Sequence, residues 1–270
     1  MRAVERRRAC RRFGRMMLTA VIAWLLTACA TLPQPSTVGV LPDAVQVHQR
    51  LESRRQAVRG FMMQGEIVAR GPGGEVSGEH RLLGMYPDRL RAEIDGPFGK
   101  PALLLICDGV RLAVLNHGEG KGYLGPATRT NLARFLGLML TPAEIFTLLG
   151  GSTPLLPEAG GQVFASSVPD QAVLNLQDGA GLKQGVIFSP GDYAVHQAWL
   201  SDRDGGEISA QFGNFVNLPA GRFPRRMLLT AGEGRELTLL NDSLTINPPG
   251  LDPARFEPVL PPGVEALELP

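Results

Sequence analysis

An all-β domain, sandwich or barrel, with a little added helix is what this 270-residue sequence predicts. Three observations lead there. Apolar and polar residues alternate with period two in many short runs. The runs are separated by turn formers, in a chain that holds 33 Gly and 22 Pro. Helical spacing surfaces in only three places, so helices can decorate a sheet but not build the core. No internal repeat recurs at a fixed period, and no linker is long enough to split the domain.

The chain opens with an arginine-rich stretch (Arg2, Arg6, Arg7, Arg8, Arg11, Arg12, Arg15) followed by an apolar run from Met16 to Leu26, too short to span a bilayer comfortably. Leu26-Thr27-Ala28-Cys29 comes next and resembles the lipobox of bacterial lipoproteins: an aliphatic residue, two small ones, then cysteine. The resemblance implies that residues 1–28 are a signal peptide and that Cys29 is the lipidation site and first residue of the mature chain. Two acyl chains on Cys29 and a third on its amine would anchor the protein durably without spanning the membrane. Ala30 stands where an inner-membrane retention signal places Asp, which implies the outer membrane, facing the periplasm. The seven arginines against Glu5 give the leader +6; taking that from the whole chain's +1 leaves about −5. A nucleic-acid partner is therefore not expected. Cys10 leaves with the leader and Cys29 is lipidated, so Cys107 has no disulfide partner in a monomer and reads as a small buried hydrophobe.

After a tether at 29–42 containing Pro33, Pro35 and Pro42, a domain spans 43–270, about 230 residues, a size that one β domain reaches routinely. Asp43 can cap a helix, with Gln46 as the back half of a capping box. Ala44, Val47, Leu51 and Val58 share one face of it, while Arg50, Arg54, Arg55 and Arg59 fall elsewhere, facing either solvent or phospholipid headgroups. Phe61 to Arg70 and Val76 to Leu83 read as a hairpin around Gly71-Pro72-Gly73-Gly74. Leu90, Ala92 and Ile94 alternate with charges in the next strand. A turn from Asp95 to Lys100 precedes Ala102 to Cys107, apolar on both faces and so a strand covered on each side. Arg111 to Asn116 and Tyr123-Leu124 complete this half.

Helical spacing returns at Leu132, Phe135, Leu136 and Met139. A second helix opens on Thr141 as N-cap, Pro142 at its first position and Glu144 closing a capping box, and ends at Gly150-Gly151; Ile145, Leu148 and Leu149 form its apolar face. Strands then run over 162–168, 172–177, 183–189, 193–200, 207–216, 225–230, 235–240 and 244–247. Turns fall at Asp178-Gly179, Pro190-Gly191 and 202–206. The Pro-rich tail from Leu251 closes over one end through Phe256 and Val259.

Catalytic patterns are missing. His48, His80, His117 and His196 have no metal-ligand spacing, and H-E-x-x-H, C-x-x-C and G-x-S-x-G do not occur. Gly118 to Gly122 lacks the spacing and the Ser or Thr of a phosphate loop, and Asp202 and Asp204 read as turn residues. No enzyme, metal or cofactor is expected.

The run Arg89-Leu90-Arg91-Ala92-Glu93-Ile94-Asp95-Gly96-Pro97-Phe98-Gly99-Lys100-Pro101-Ala102-Leu103-Leu104-Leu105 is followed by a Gly-rich hairpin, a helix over 131–140 and the Thr141-Pro142 helix. With the lipobox, the helix before the first strand and Pro224 ahead of two short strands, this order resembles LolB, the outer-membrane lipoprotein that receives lipoproteins from the periplasmic carrier LolA. The chain is longer than that family around 155–191 and in its tail. The resemblance implies a half-open antiparallel β-barrel with capping helices over an apolar cavity. On this sequence Met63, Ile67, Leu90, Ile94, Leu103, Leu105, Leu132, Phe135, Leu136, Ile145, Leu148, Val195 and Trp199 are the candidate lining, though each also fits a packed core. It also implies that Pro97, Phe98 and Gly99 form a membrane-delivery loop, with Phe98 at its tip unless the ring folds back under the turn.

The expected function is acceptance of acylated cargo, lipoprotein or lipid, and its insertion into the outer membrane by a monomer, with a LolA-like carrier as partner. Two alternatives stand beside it: an envelope lipoprotein that scaffolds a partner, and a carrier of a glycolipid or another hydrophobic ligand.

Overall fold

Two antiparallel meanders meet along the first strand in the computed structural model, which describes residues 41–72, 74–157, 160–201, 207–232 and 234–270. The leader, Cys29, nearly all of the tether and the turn at 202–206 lie outside the described residues. Helix α1 (Ala44–Ala57) leads into β1 (Gly60–Gly71), β2 (Gly74–Met85), β3 (Arg89–Asp95), β4 (Pro101–Cys107), β5 (Arg111–Asn116) and β6 (Lys121–Pro126). Helices α2 (Arg129–Leu136) and α3 (Pro142–Leu149) follow. The second meander comprises β7 (Gly160–Ala165), β8 (Ala172–Gln177), β9 (Lys183–Phe188), β10 (Val195–Ser201), β11 (Glu207–Leu218), β12 (Gly221–Ala231) and β13 (Arg235–Ile246), and β14 (Ala266–Glu268) ends the chain.

All fourteen strands form one sheet, in the order β14-β6-β5-β4-β3-β2-β1-β13-β12-β11-β10-β9-β8-β7. Every described pairing is antiparallel except β14 with β6. Among the described residues the end strands β14 and β7 do not pair with each other and three α-helices occur, so this is an open barrel, mainly β. Alternation gives the sheet two faces. One carries Phe61, Met63 and Ile67 of β1, Leu82 of β2, Leu90 of β3 and Leu105 of β4, all buried. The other carries Arg81, Glu93, Asp95 and Arg91 in an ion-pair network. Part of this polar face is covered by the tail: Phe256 is fully buried and the Arg255 carbonyl accepts from Arg91.

Several sequence expectations are displaced. Helix α2 stops at Gly137, which takes the left-handed conformation (φ 73°) that glycine adopts without a Cβ clash. Met139 therefore lies outside the helix and is exposed. Asp43 does cap α1, but its carboxylate accepts from the Val45 N–H, and no capping box forms there. Pro224 sits inside β12 rather than ahead of it. β13 pairs only with Arg226 to Ala231 of β12, so the missing N–H of Pro224 faces no ladder partner on that side. The two short final strands are one, β13, and Val259 is exposed rather than closing an end.

Cys107 ends β4 with its side chain fully buried. The Gly109 N–H donates to its sulfur at 3.4 Å, and burial pushes the thiol pKa up to about 11. At pH 8 the thiolate is scarce as well as inaccessible, so the native protein should not react with a thiol-exchange reagent and should release one equivalent for Cys107 only after unfolding. Reaction of Cys107 at native rates typical of an exposed cysteine would contradict this packing.

Candidate functional site

The helices occupy the hollow of the open sheet. Helix α3 is stopped and started by its own sequence. The Thr141 hydroxyl accepts from the Glu144 N–H, and the Glu144 carboxylate accepts from the Thr141 N–H at 2.8 Å. Pro142, Ile145, Phe146, Thr147, Leu148 and Leu149 are all buried, which happens only when a helix is surrounded rather than laid on a surface. Phe146 stacks on Phe61 with ring centroids 5.3 Å apart and meets Tyr86 edge-on at 6.1 Å. Phe61 can lie flat across the sheet because its neighbour on β2 is Gly84, where a Cβ would come within 2.3 Å of the ring.

Helix α2 covers the β6 side. Leu132 is fully buried there, Phe135 packs on Tyr123 at 5.2 Å, and the Asn131 amide donates to the carbonyls of Pro126 and Pro270. Helix α1 lies near β7, with Ala44 in contact range of Gly161, and it buries Val47 and Leu51.

Between the helices and the sheet lies an apolar cavity of about 70 Å³. Apart from Arg91 its lining is hydrocarbon: Ile67, Leu82, Leu83, Leu90, Ala92, Ile94 and Leu105 from β1 to β4, Leu229, Leu237 and Leu239 from β12 and β13, and Leu136, Leu138, Ile145 and Leu149 from the helical side. A second space of about 820 Å³ opens beside it, bounded by Gly137, Met139, the 154–157 loop and the ends of β9 to β13. The short connection between α2 and α3 is the partition. Leu136 and Leu138 face the smaller cavity, while Gly137 and Met139 border the wider one. Two arginines hold this partition by its backbone: Arg129 donates to the Met139 carbonyl at 3.3 Å and pairs with Glu144 at 2.7 Å, and Arg235 donates to the Gly137 carbonyl at 3.5 Å.

Six of the thirteen candidate lining residues border the smaller cavity: Ile67, Leu90, Ile94, Leu105, Leu136 and Ile145. Met63, Leu132, Leu148 and Val195 are buried in the core around it, and Leu103 and Phe135 are half-buried against that core. Trp199 is placed differently. It pairs with Gly185 and Ser209, and its ring lies over Gly185, on the face opposite Ala198 and Leu200. The cause is a bulge between Val195 and Gln197, which reverses the alternation within β10. Leu82, Leu83, Ala92, Leu138, Leu149, Leu229, Leu237 and Leu239 also line it and were not among the candidates; alternation in β2, β3, β12 and β13 was the available signal for most of the strand residues.

Phe98 is 99% exposed, on the 3-10 turn Pro97–Gly99 between β3 and β4, with φ at 65°. A non-glycine residue is uncommon there. The turn is closed by Gly96 donating to the Lys100 carbonyl at 2.7 Å and Gly99 donating to the Gly96 carbonyl. Two arginines of α1 and one just after it are engaged within the fold: Arg54 donates to the Arg222 carbonyl and stacks on Phe223, Arg55 pairs with Glu52, and Arg59 lies 4.1 Å from the Tyr86 ring centroid. Among the described residues no helix is long and apolar enough to cross a membrane, and no cluster of three or more metal-ligating side chains occurs.

An open antiparallel barrel whose apolar hollow is plugged by helices defines the architectural class. Compared by sequence, the chain matches no family model and no curated protein. Compared by structure, it is similar to a putative outer membrane lipoprotein-sorting protein domain from Vibrio parahaemolyticus (TM-score 0.55, 14% identity, 79% of this chain and 97% of that one). It is similar to a LolA superfamily protein from Nitrosomonas europaea as well (TM-score 0.54, 15% identity, 80% and 98%). A DUF1329 family protein from Desulfovibrio piger gives the same TM-score at 12% identity, over 80% of this chain and 98% of that one. At these identities the likeness is one of fold: this is the LolA-like open barrel.

Proposed function

We propose that the protein is a lipid-anchored acceptor on the outer membrane, facing the periplasm, that takes acyl chains of lipoproteins or lipids into the hollow and passes them to the bilayer without covalent chemistry. The observation that carries this reading is the partition between α2 and α3, which separates a small hydrocarbon-lined cavity from a wider one of about 820 Å³. The wider space lies within the roughly 300–1,000 Å³ of small-molecule sites, and the smaller cavity is well below it. Acyl chains therefore enter by displacing Leu136 and Leu138, each buried methylene contributing about 0.8 kcal/mol. Cys29 supplies the anchor and a LolA-like carrier the cargo. Phe98, held out on its turn, is the element that enters the membrane interface.

The intact chain, kept soluble in a fluorinated surfactant, should bind one fluorescent acyl probe per molecule. Ala92→Phe, which puts a ring into the smaller cavity, should lower probe affinity at least tenfold. Phe98→Glu should leave probe binding unchanged and slow transfer to liposomes several-fold; equal transfer rates would remove the delivery role of the loop.

The small volume of the cavity beneath the helices favours a second reading, an envelope lipoprotein whose filled β domain scaffolds a partner. It predicts no stoichiometric probe binding, and a protein crosslinked in the cell in place of lipid.

A further inference from the structure

One row across the middle of the concave face is polar. Asn241 of β13 pairs with Gly65 of β1, Gly65 pairs with His80 of β2, and His80 pairs with Ile94 of β3. Directly paired residues in an antiparallel sheet share a face, so His80 and Asn241 stand on the same side as Ile94. They flank Gly65, which places no side chain between them, and their Cα atoms are about 10 Å apart at two strand spacings. Each is only 1% exposed. Their same-face neighbours Ile67, Leu82, Ile94 and Leu239 all line the smaller cavity, which His80 and Asn241 adjoin without bordering it themselves.

None of the four ring and amide nitrogen and oxygen atoms has a hydrogen-bond partner among the described residues. The β1–β13 irregularity falls beside Asn241, between the pairs Gln64–Ser243 and Gly65–Asn241, and leaves its amide without a partner among the described residues. Buried polar groups in proteins are nearly always paired, and one left unpaired costs free energy that two leucines here would not. Two such residues in one row, beside a cavity lined almost wholly by hydrocarbon, combine apolar walls with a few polar groups as ligand sites do.

We propose that His80 and Asn241 form a polar anchor in the hollow that donates hydrogen bonds to the carbonyl oxygens of uncharged acyl esters, fixing how deep an acylated ligand sits. The inference rests on the acyl-binding reading above and adds the chemical class of the group at the polar end of the chain. The imidazole suits a neutral ligand. Burial depresses its pKa to about 4, so it carries one N–H and no charge at neutral pH, and Arg91, which borders the cavity, is already paired with Glu93. The Asn241 amide offers two further N–H donors.

The test compares methyl palmitate with octadecane, as competitors of the fluorescent acyl probe on the intact chain in fluorinated surfactant. His80→Leu and Asn241→Leu should each weaken methyl palmitate about three- to tenfold, the range for one hydrogen bond, and leave octadecane unchanged. On the unsubstituted chain, methyl palmitate but not octadecane should shift the imidazole ¹⁵N resonances of His80, a readout that does not depend on the variants folding. Loss of both competitors by the same factor, or of neither, with no His80 shift, means the pair is satisfied by water only and overturns the anchor while leaving acyl binding in place. Failure of both molecules to compete on the unsubstituted chain removes the acyl-binding reading and the anchor with it.

Discussion

Phe146→Ala should lower the unfolding free energy by about 3–5 kcal/mol, the range for removing a buried aromatic ring from a core that cannot fully collapse. Domains have only about 5–15 kcal/mol in total, so the variant should sit near the edge of folding at 37 °C. The reason lies in what the ring joins. It is 2% exposed, stacks on Phe61 and meets Tyr86 edge-on, so a helix from the middle of the chain is fastened to the first strand and to the β2–β3 connection by one side chain. The ring contacts add about 0.5–1.5 kcal/mol beyond the area they bury. Phe135→Ala is the matched control: its ring is half-buried against Tyr123, so the loss should be clearly smaller. Urea unfolding followed by circular dichroism measures both, and the comparison holds if the midpoint shifts while the slope does not. Equal losses at 146 and 135 would mean that α3 is not the clamp of the hollow.

What the sequence disclosed follows from how local each determinant is. Helix α3 was legible to the residue, because Thr141, Pro142 and Glu144 act within one turn and need nothing from the rest of the chain. Helical spacing sets the face of Ile145 and Leu136, and alternation sets that of Ile67, Leu90, Ile94 and Leu105, since β1, β3 and β4 are regular over those residues; all six border the smaller cavity. Trp199 lies on the other face because one bulge after Val195 reverses the alternation, and a bulge depends on the partner strand. Asn241 and His80 were out of reach in a different way. Alternation puts each on an apolar face, but their shared row needs β13 and β2 to flank β1, although about 160 residues separate them. The partition between α2 and α3 was likewise hidden, since its two sides are defined by strands from both meanders.

Acid should weaken the fold through His80, by about 3 kcal/mol between pH 6.5 and pH 4. Burial is the larger cause of its depressed pKa, opposed by the nearby charge of Asp242. In the unfolded chain the imidazole titrates near 6.5, and in the folded chain near 4. Above pH 6.5 both states are neutral and the contribution is fully present. Below it the unfolded chain takes up a proton that the folded chain refuses, at about 1.4 kcal/mol per pH unit, until the folded pKa is passed. His196 is depressed in the same direction, chiefly by burial, and Glu52 and Glu93 are lowered by their arginine partners, so the whole-protein curve mixes several groups of like sign. The raised pKa of Asp88 opposes them. The difference between the unsubstituted chain and His80→Leu isolates the one imidazole, because every other group is common to both. Urea unfolding at pH 7.5, 6, 5 and 4 should show the variant gaining on the parent steadily below pH 6.5 and by nothing above it. Parallel curves across that window would mean that His80 takes up its proton as readily folded as unfolded, which a side chain sealed among Ile67, Leu82, Ile94 and Leu239 cannot do.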